Sequence, residues 1–162
     1  MSRAASDMPI AQRFAEYLSR GGESYTVVPA ADPPDFLLEP GTWLELSDIY
    51  RNEGEATFLN SPTETRFSFQ GSPDEPAVRL LQKLDEKLAK TSYQHIYDQR
   101  GSGLLLLTCQ DCAFDEVNLA QVHQAVASFR PTDDRGFFEA AYFEYRLPNE
   151  ERTYEVVYPK KA

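Results

Sequence analysis

The stretch GLLLLTC, from Gly103 to Cys109, constrains the fold more than any other part of the chain. Four consecutive leucines leave no polar face, so a strand here must be covered on both sides. The run is short for a helix, and RGSG and QDC bound it. Its neighbours supply the cover. Upstream, Ala77, Leu81, Leu84 and Leu88 recur at helical spacing in SPDEPAVRLLQKLDEKLAKTSYQHIYDQ, which reads as one helix from about Glu75. Downstream, FDEVNLAQVHQAVASF reads as a helix capped by Asp115, with Val122 and Val126 on its inner face. A long helix feeding a doubly buried strand predicts an α/β sandwich.

The rest of the chain can be assembled around that unit. MPIAQRFAEYLSRGG predicts a first helix, with Ile10, Phe14, Tyr17 and Leu18 at helical spacing and Gly21-Gly22 as its stop. Residues 1–9 ahead of it are expected as a flexible tail, and residues 10–162 as a single domain. SYTVVPA has strand character. PPDFLLE and TWLELSDIY predict a hairpin around EPGT, whose Pro-Gly pair suits a type II turn. EATFLN and TRFSFQG predict a second hairpin around SPTE. GFFEAAYFEYRL and TYEVVYP predict a closing hairpin around PNEE. The expected order is α-β-β-β-β-α-β-α-β-β, to within one strand.

Charge narrows the function classes. A net charge of -10 argues against a broad electrostatic grip on nucleic acid. Contact with nucleic acid then needs a local basic site, a bound cation or a partner subunit, and an acidic surface equally suits a protein partner or a homo-oligomer. No apolar stretch approaches the ~20 residues of a membrane span. MSRAASDMPIAQRF lacks the apolar segment of a secretory signal, and two cysteines make no disulfide scaffold. The expectation is a soluble cytoplasmic protein. Cys109 and Cys112 form a C-x-x-C motif, but AFD separates it from the next helix start, and a zinc site needs about four ligands. His95 and His123 are singletons without paired ligand spacing. No nucleophile elbow, phosphate-binding glycine loop or dinucleotide fingerprint is present.

Two acids stand out inside the first hairpin. Asp35 opens FLLE, and Glu45 sits between Leu44 and Leu46. A turn near Pro40-Gly41 places them roughly opposite each other, with Cβ atoms about 5 Å apart if they share a face. Two carboxylates that close repel unless a cation or proton lies between them, and Mg²⁺ or Mn²⁺ accepts such oxygen ligands. A solvent-facing acidic pair satisfies the same spacing.

A helix with an inward acid, then PDFLLEPGTWLEL, then a lysine-bearing helix and an apolar strand resembles the PD-(D/E)xK nuclease superfamily, over about residues 10–110. The resemblance implies a restriction-endonuclease-like sandwich, a central mixed β-sheet flanked by helices. It also implies Mg²⁺- or Mn²⁺-dependent hydrolysis of phosphodiester bonds. Asp35 and Glu45 then match the metal-binding acids, with the Leu46 carbonyl as a further ligand and Glu16 as the acid of the first helix. The lysine of the E-x-K tripeptide is missing, because position 47 is Ser47. In some members of the superfamily that lysine has moved to the following helix. QKLDEKLAK offers Lys87 as the first candidate and Lys83 as the second. Loss of the lysine altogether implies a degenerate nuclease fold serving as a protein-interaction module.

Overall fold

The computed structural model describes residues 3–30, 33–49, 75–109, 115–148 and 150–159. Along the chain these form α1 (Arg3–Ser19), β1 (Thr26–Pro29), β2 (Phe36–Glu39), β3 (Thr42–Asp48), α2 (Glu75–Ala89), α3 (Gln94–Arg100), β4 (Gly103–Thr108), α4 (Glu116–Ser128), β5 (Phe138–Tyr145) and β6 (Thr153–Tyr158). The expected hairpin of EATFLN and TRFSFQG lies outside the described residues. The six strands make one mixed sheet in sequential order, β1 to β6. β1–β2, β2–β3 and β5–β6 pair antiparallel, while β3–β4 and β4–β5 pair parallel. The two parallel pairs are the ones whose connections carry helices, as crossovers require. The chain is therefore an α/β protein with a mixed sheet flanked by helices.

Strand alternation sorts the core into two layers. Even-numbered Phe36, Leu38, Leu44, Leu46, Leu104 and Leu106 meet Ala11, Phe14 and Ala15 of α1 on one face. Odd-numbered Trp43, Leu105, Leu107, Ala141 and Phe143 meet Leu80, Leu84 and Leu88 of α2, Ile96 of α3, and Val122 and Val126 of α4 on the other. β4, the leucine run, is buried at all six positions. Asp115 caps α4 as expected: its carboxylate accepts from the Asn118 N–H at 2.8 Å, and the Asn118 side chain accepts from the Asp115 N–H at 3.2 Å.

Three local expectations change. α1 begins at Arg3, so most of the segment expected as a tail is helical; Ala4 and Ala5 favour helix, and Pro9 is exposed within it. The single helix expected from Glu75 to about Gln99 is two, because the chain leaves helical geometry between Ala89 and Gln94. Thr91 and Ser92 are poor helix formers, and the break turns Tyr93 fully inward. The β2–β3 turn closes from the Gly41 N–H to the Leu38 carbonyl at 3.2 Å. Pro40 thus takes the third turn position, and Gly41 lacks the positive φ of a type II turn.

A candidate active site at the β2–β3 hairpin

β2 and β3 pair with Phe36 opposite Leu44, and one step further along this register sets Asp35 opposite Glu45. Alternation turns Glu45 toward the face covered by α2. Both acids are buried, Asp35 at 8% exposure and Glu45 at 2%. Each holds the other's strand. The Asp35 N–H donates to Glu45 Oε1 at 3.2 Å, and the Leu46 N–H donates to Asp35 Oδ2 at 2.9 Å. Leu46 meets Asp35 through this N–H, whereas the sequence pointed to its carbonyl as a cation ligand.

Lys87 reaches the pair from α2. Its Nζ lies 3.2 Å from Glu45 Oε2, and the lysine is 4% exposed. The side chain projects from the helix face that also carries Leu84 and Leu88, so its aliphatic stem packs in the core while its ammonium meets the carboxylate. Lys83, one turn earlier, is buried as well and forms its ion pair with Glu86 at 3.5 Å. Ser47 follows Glu45 on the same strand face and is buried.

Tyr93 completes the arrangement; in the sequence it trails the lysine helix, where contact with a substrate and packing of the helix end on the sheet explain it equally. Its hydroxyl donates to Glu45 Oε2 at 2.7 Å, beside the Lys87 ammonium. The ring is fully buried, stacked on Trp43 with centroids 5.5 Å apart, and meets Phe138 edge-on at 5.1 Å. Trp43 is itself anchored by its indole N–H, which donates to the Gly101 carbonyl at 2.8 Å. Gly101, at φ 80, ends α3 in a conformation suited to glycine. The one sequence signal for Tyr93 is the poor helix-forming pair before it.

Glu16 does not join the site. It is exposed on α1, whose packing residues Ala11, Phe14 and Ala15 face the opposite side of the sheet. Among the described residues no group of three or more acidic, histidine or cysteine side chains forms a candidate metal cluster. Asp35 and Glu45 are two carboxylates, short of such a group, and oxygens of both accept internal hydrogen bonds. His123 meets Glu155 on the surface, 2.8 Å away, and is remote in role from the acidic pair. Cys109 directly follows β4, and Cys112 lies outside the described residues.

A third buried carboxylate went unnoticed in the sequence. Glu144 of β5 is 1% exposed and faces the α1 side. It accepts from Arg13 at 3.3 Å, Arg152 at 3.4 Å and the Tyr154 hydroxyl at 2.7 Å. Burial, and then the bond to Glu144, push the Tyr154 hydroxyl well above its ordinary pKa.

Comparison with protein-family models, curated proteins and solved structures finds no match to this chain. Among the described residues no helix is long and apolar enough to cross a membrane.

Proposed function

We propose that the chain is a metal-dependent phosphodiesterase of the PD-(D/E)xK lineage, with Asp35, Glu45 and Lys87 as its site. The observation that carries the reading is the 3.2 Å contact between Lys87 Nζ and Glu45 Oε2. It puts an ammonium beside the acid pair from the helix that follows β3, although Ser47 stands where the tripeptide lysine belongs. The order α1-β1-β2-β3-α2-α3-β4 of the described elements around a mixed sheet supports the lineage.

In this reading Asp35 and Glu45 hold Mg²⁺ or Mn²⁺. When bound, the ion supplies an activated water and offsets charge on the phosphate oxygens. Lys87 donates hydrogen bonds to the phosphate as negative charge builds there. Tyr93 fixes the rotamer of Glu45. Lys83 adds a second positive charge on the same helix face without touching the acids. Nucleic acid then binds locally at this site, consistent with a chain too acidic for a broad electrostatic surface.

The test is cleavage of single- and double-stranded DNA and RNA in Mg²⁺ or Mn²⁺. Asp35→Ala, Glu45→Ala and Lys87→Ala are each expected to lose about 10²-fold or more, and EDTA is expected to abolish the reaction. Cleavage that survives in Asp35→Ala and Glu45→Ala refutes the assignment.

One observation favours a second reading, a degenerate nuclease fold acting as a protein-interaction module. Glu45 is buried and accepts from three internal donors, Lys87, Tyr93 and the Asp35 N–H. On that reading the acids lock the hairpin to α2, and the acidic surface meets a protein partner or a second copy. A wild-type chain that neither cleaves nor binds divalent cations decides for it.

A further inference from the structure

We infer that Cys109 and Cys112 form a reversible dithiol–disulfide pair, a redox site that accepts two electrons from a dithiol. The inference is independent of the metal-site reading above.

The cross-link and its place in the fold carry it. Cys109 is disulfide-bonded, and among the described residues no cysteine is free. The chain has two cysteines, so the partner sulfur belongs to Cys112, and the bond closes a ring of only four residues. A disulfide stabilises a fold mainly by restraining the unfolded chain, and a short ring restrains it least. The elements on either side hold without it. β4 is paired to both β3 and β5 and is buried at all six positions. The Ile49 N–H donates to the Thr108 carbonyl at 2.8 Å, directly before Cys109. α4 is closed at its start by the reciprocal Asp115–Asn118 cap. The cross-link therefore lies between two elements that are already fixed, and opening it leaves the sheet and the helix in place.

Cys109 is suited to exchange. It follows Leu105 and Leu107 on the odd-numbered side of β4 and packs against their core cluster, yet it is only half-buried. An attacking thiolate thus has a route to the sulfur, while β4 fixes the backbone that carries it. The C-x-x-C spacing makes closure intramolecular, which favours it over capture by another chain. Ala113 and Phe114 separate Cys112 from the cap residue Asp115, so neither cysteine occupies the first turn of α4, where a thiolate is stabilised. The reduced form gains nothing from the helix, so full opening calls for a dithiol that closes its own ring. The exchange balances in two steps. A thiolate of the dithiol attacks one sulfur of the pair; the S–S bond breaks, a mixed disulfide forms, and the other cysteine leaves as a thiolate and takes up a proton. The second thiol of the reductant then loses its proton, attacks the mixed disulfide and releases the remaining cysteine as a thiol. Two electrons and two protons pass to the pair, and the dithiol becomes a disulfide.

The test uses the wild-type chain in graded mixtures of reduced and oxidised dithiothreitol, quenched with acid and alkylated, with modified thiols counted by intact mass. None is expected in the oxidised mixture and two in the reduced one, through a single two-electron transition that retraces itself on reoxidation. The reduced chain is expected to keep its far-ultraviolet circular dichroism and to lose no more than roughly 5 °C of thermal midpoint. An equal mixture of reduced and oxidised glutathione, a single thiol, is expected to leave most of the chain closed. Cys112→Ser is expected to present Cys109 as one thiol that alkylates in the folded chain. Thiols that react only after denaturation, or a fold that is lost on reduction, would make the bond a structural cross-link and overturn the inference. Reoxidation to disulfide-linked dimers instead of the internal ring overturns it as well, and full opening in the glutathione mixture overturns the need for a dithiol.

Discussion

Gly103→Ala is the sharpest probe of how the site is held. Gly103 opens β4 beneath the indole of Trp43. A Cβ added there falls 2.2 Å from Trp43 Cδ2, 2.3 Å from Cε2 and 2.6 Å from Cε3. Carbon atoms sit at about 3.5–4.0 Å in ordinary contact, so the ring has to retreat by more than an ångström. It has nowhere to go. Its N–H is tied to the Gly101 carbonyl, Tyr93 stacks on it, and Phe138 lies 5.2 Å away, tilted against it. Overpacking of this kind costs about 1–3 kcal/mol, and breaking the indole hydrogen bond adds about 1 kcal/mol. Alanine stiffens the unfolded chain and returns about 0.4–1 kcal/mol. Gly103 does not adopt a positive φ, so no backbone strain enters. The expected net loss is about 2–3 kcal/mol.

Trp43 is the chain's one tryptophan, so urea unfolding followed by its fluorescence reports on the perturbed ring directly. Trp43→Leu provides the control. With the indole gone, Gly103→Ala should cost at least about 1.5 kcal/mol less, measured by circular dichroism as a double-mutant cycle. Displaced Trp43 also unseats Tyr93, so on the proposed metal-site reading Gly103→Ala should weaken Mn²⁺ binding at a site it never touches. Stability within about 0.5 kcal/mol of wild type, or an equal cost in both backgrounds, refutes the packing argument.

Two further outcomes follow from the other polar groups. Burial first, and then the bond to Glu155, push the Tyr145 hydroxyl up to about 12 from 10.0. The folded chain therefore holds that proton when the unfolded chain has lost it, and stability should fall as pH rises from about 10 to about 12; in Tyr145→Phe, urea midpoints should decline less over that window. Arg13 and Arg152 both pair with Glu144 and are each 35% exposed at the side chain. Arg13→Ala and Arg152→Ala should each cost about 1 kcal/mol or less, whereas the double variant removes both guanidinium groups from a buried carboxylate and should cost about 3 kcal/mol; simple additivity in urea melts would show that the arginines do not share the load.

The sequence allowed some of this to be read and hid the rest, for physical reasons. Period-two alternation and the EPG turn set Asp35 against Glu45 to within the register, even though the turn type differs, because the turn's position rather than its type decides which residues face each other. Helical spacing placed Lys87 beside the Leu84–Leu88 stripe, but charge runs usually face water, so nothing in QKLDEKLAK announced that Lys83 and Lys87 are both buried. Apolar spacing carried on to Ile96 and masked the break that turns Tyr93 inward. Glu16 could have been set aside from the sequence, since Phe14, Ala15 and Leu18 already define the inner face of α1. Glu144 was hidden because its partners come from α1 and β6, far away in the chain, and no local pattern reports a long-range pair.

Burial of charge is what separates the hairpin site from the rest of the core. Asn118 is buried because it closes the α4 cap, and Glu144 because two arginines and a tyrosine surround it. Asp35 and Glu45 also bridge β2 to β3 and, through Lys87, tie the hairpin to α2. Apolar residues of similar size between β3 and α2 would hold the layers together at least as well as a buried ion pair does. Packing alone therefore does not call for charge at these positions. Departures from a consistent core pattern are expected where a second demand competes with stability. On the proposed metal-site reading that demand is for oxygen ligands with an ammonium within reach, and Lys87, arriving from α2 to within 3.2 Å of Glu45, is placed to meet it.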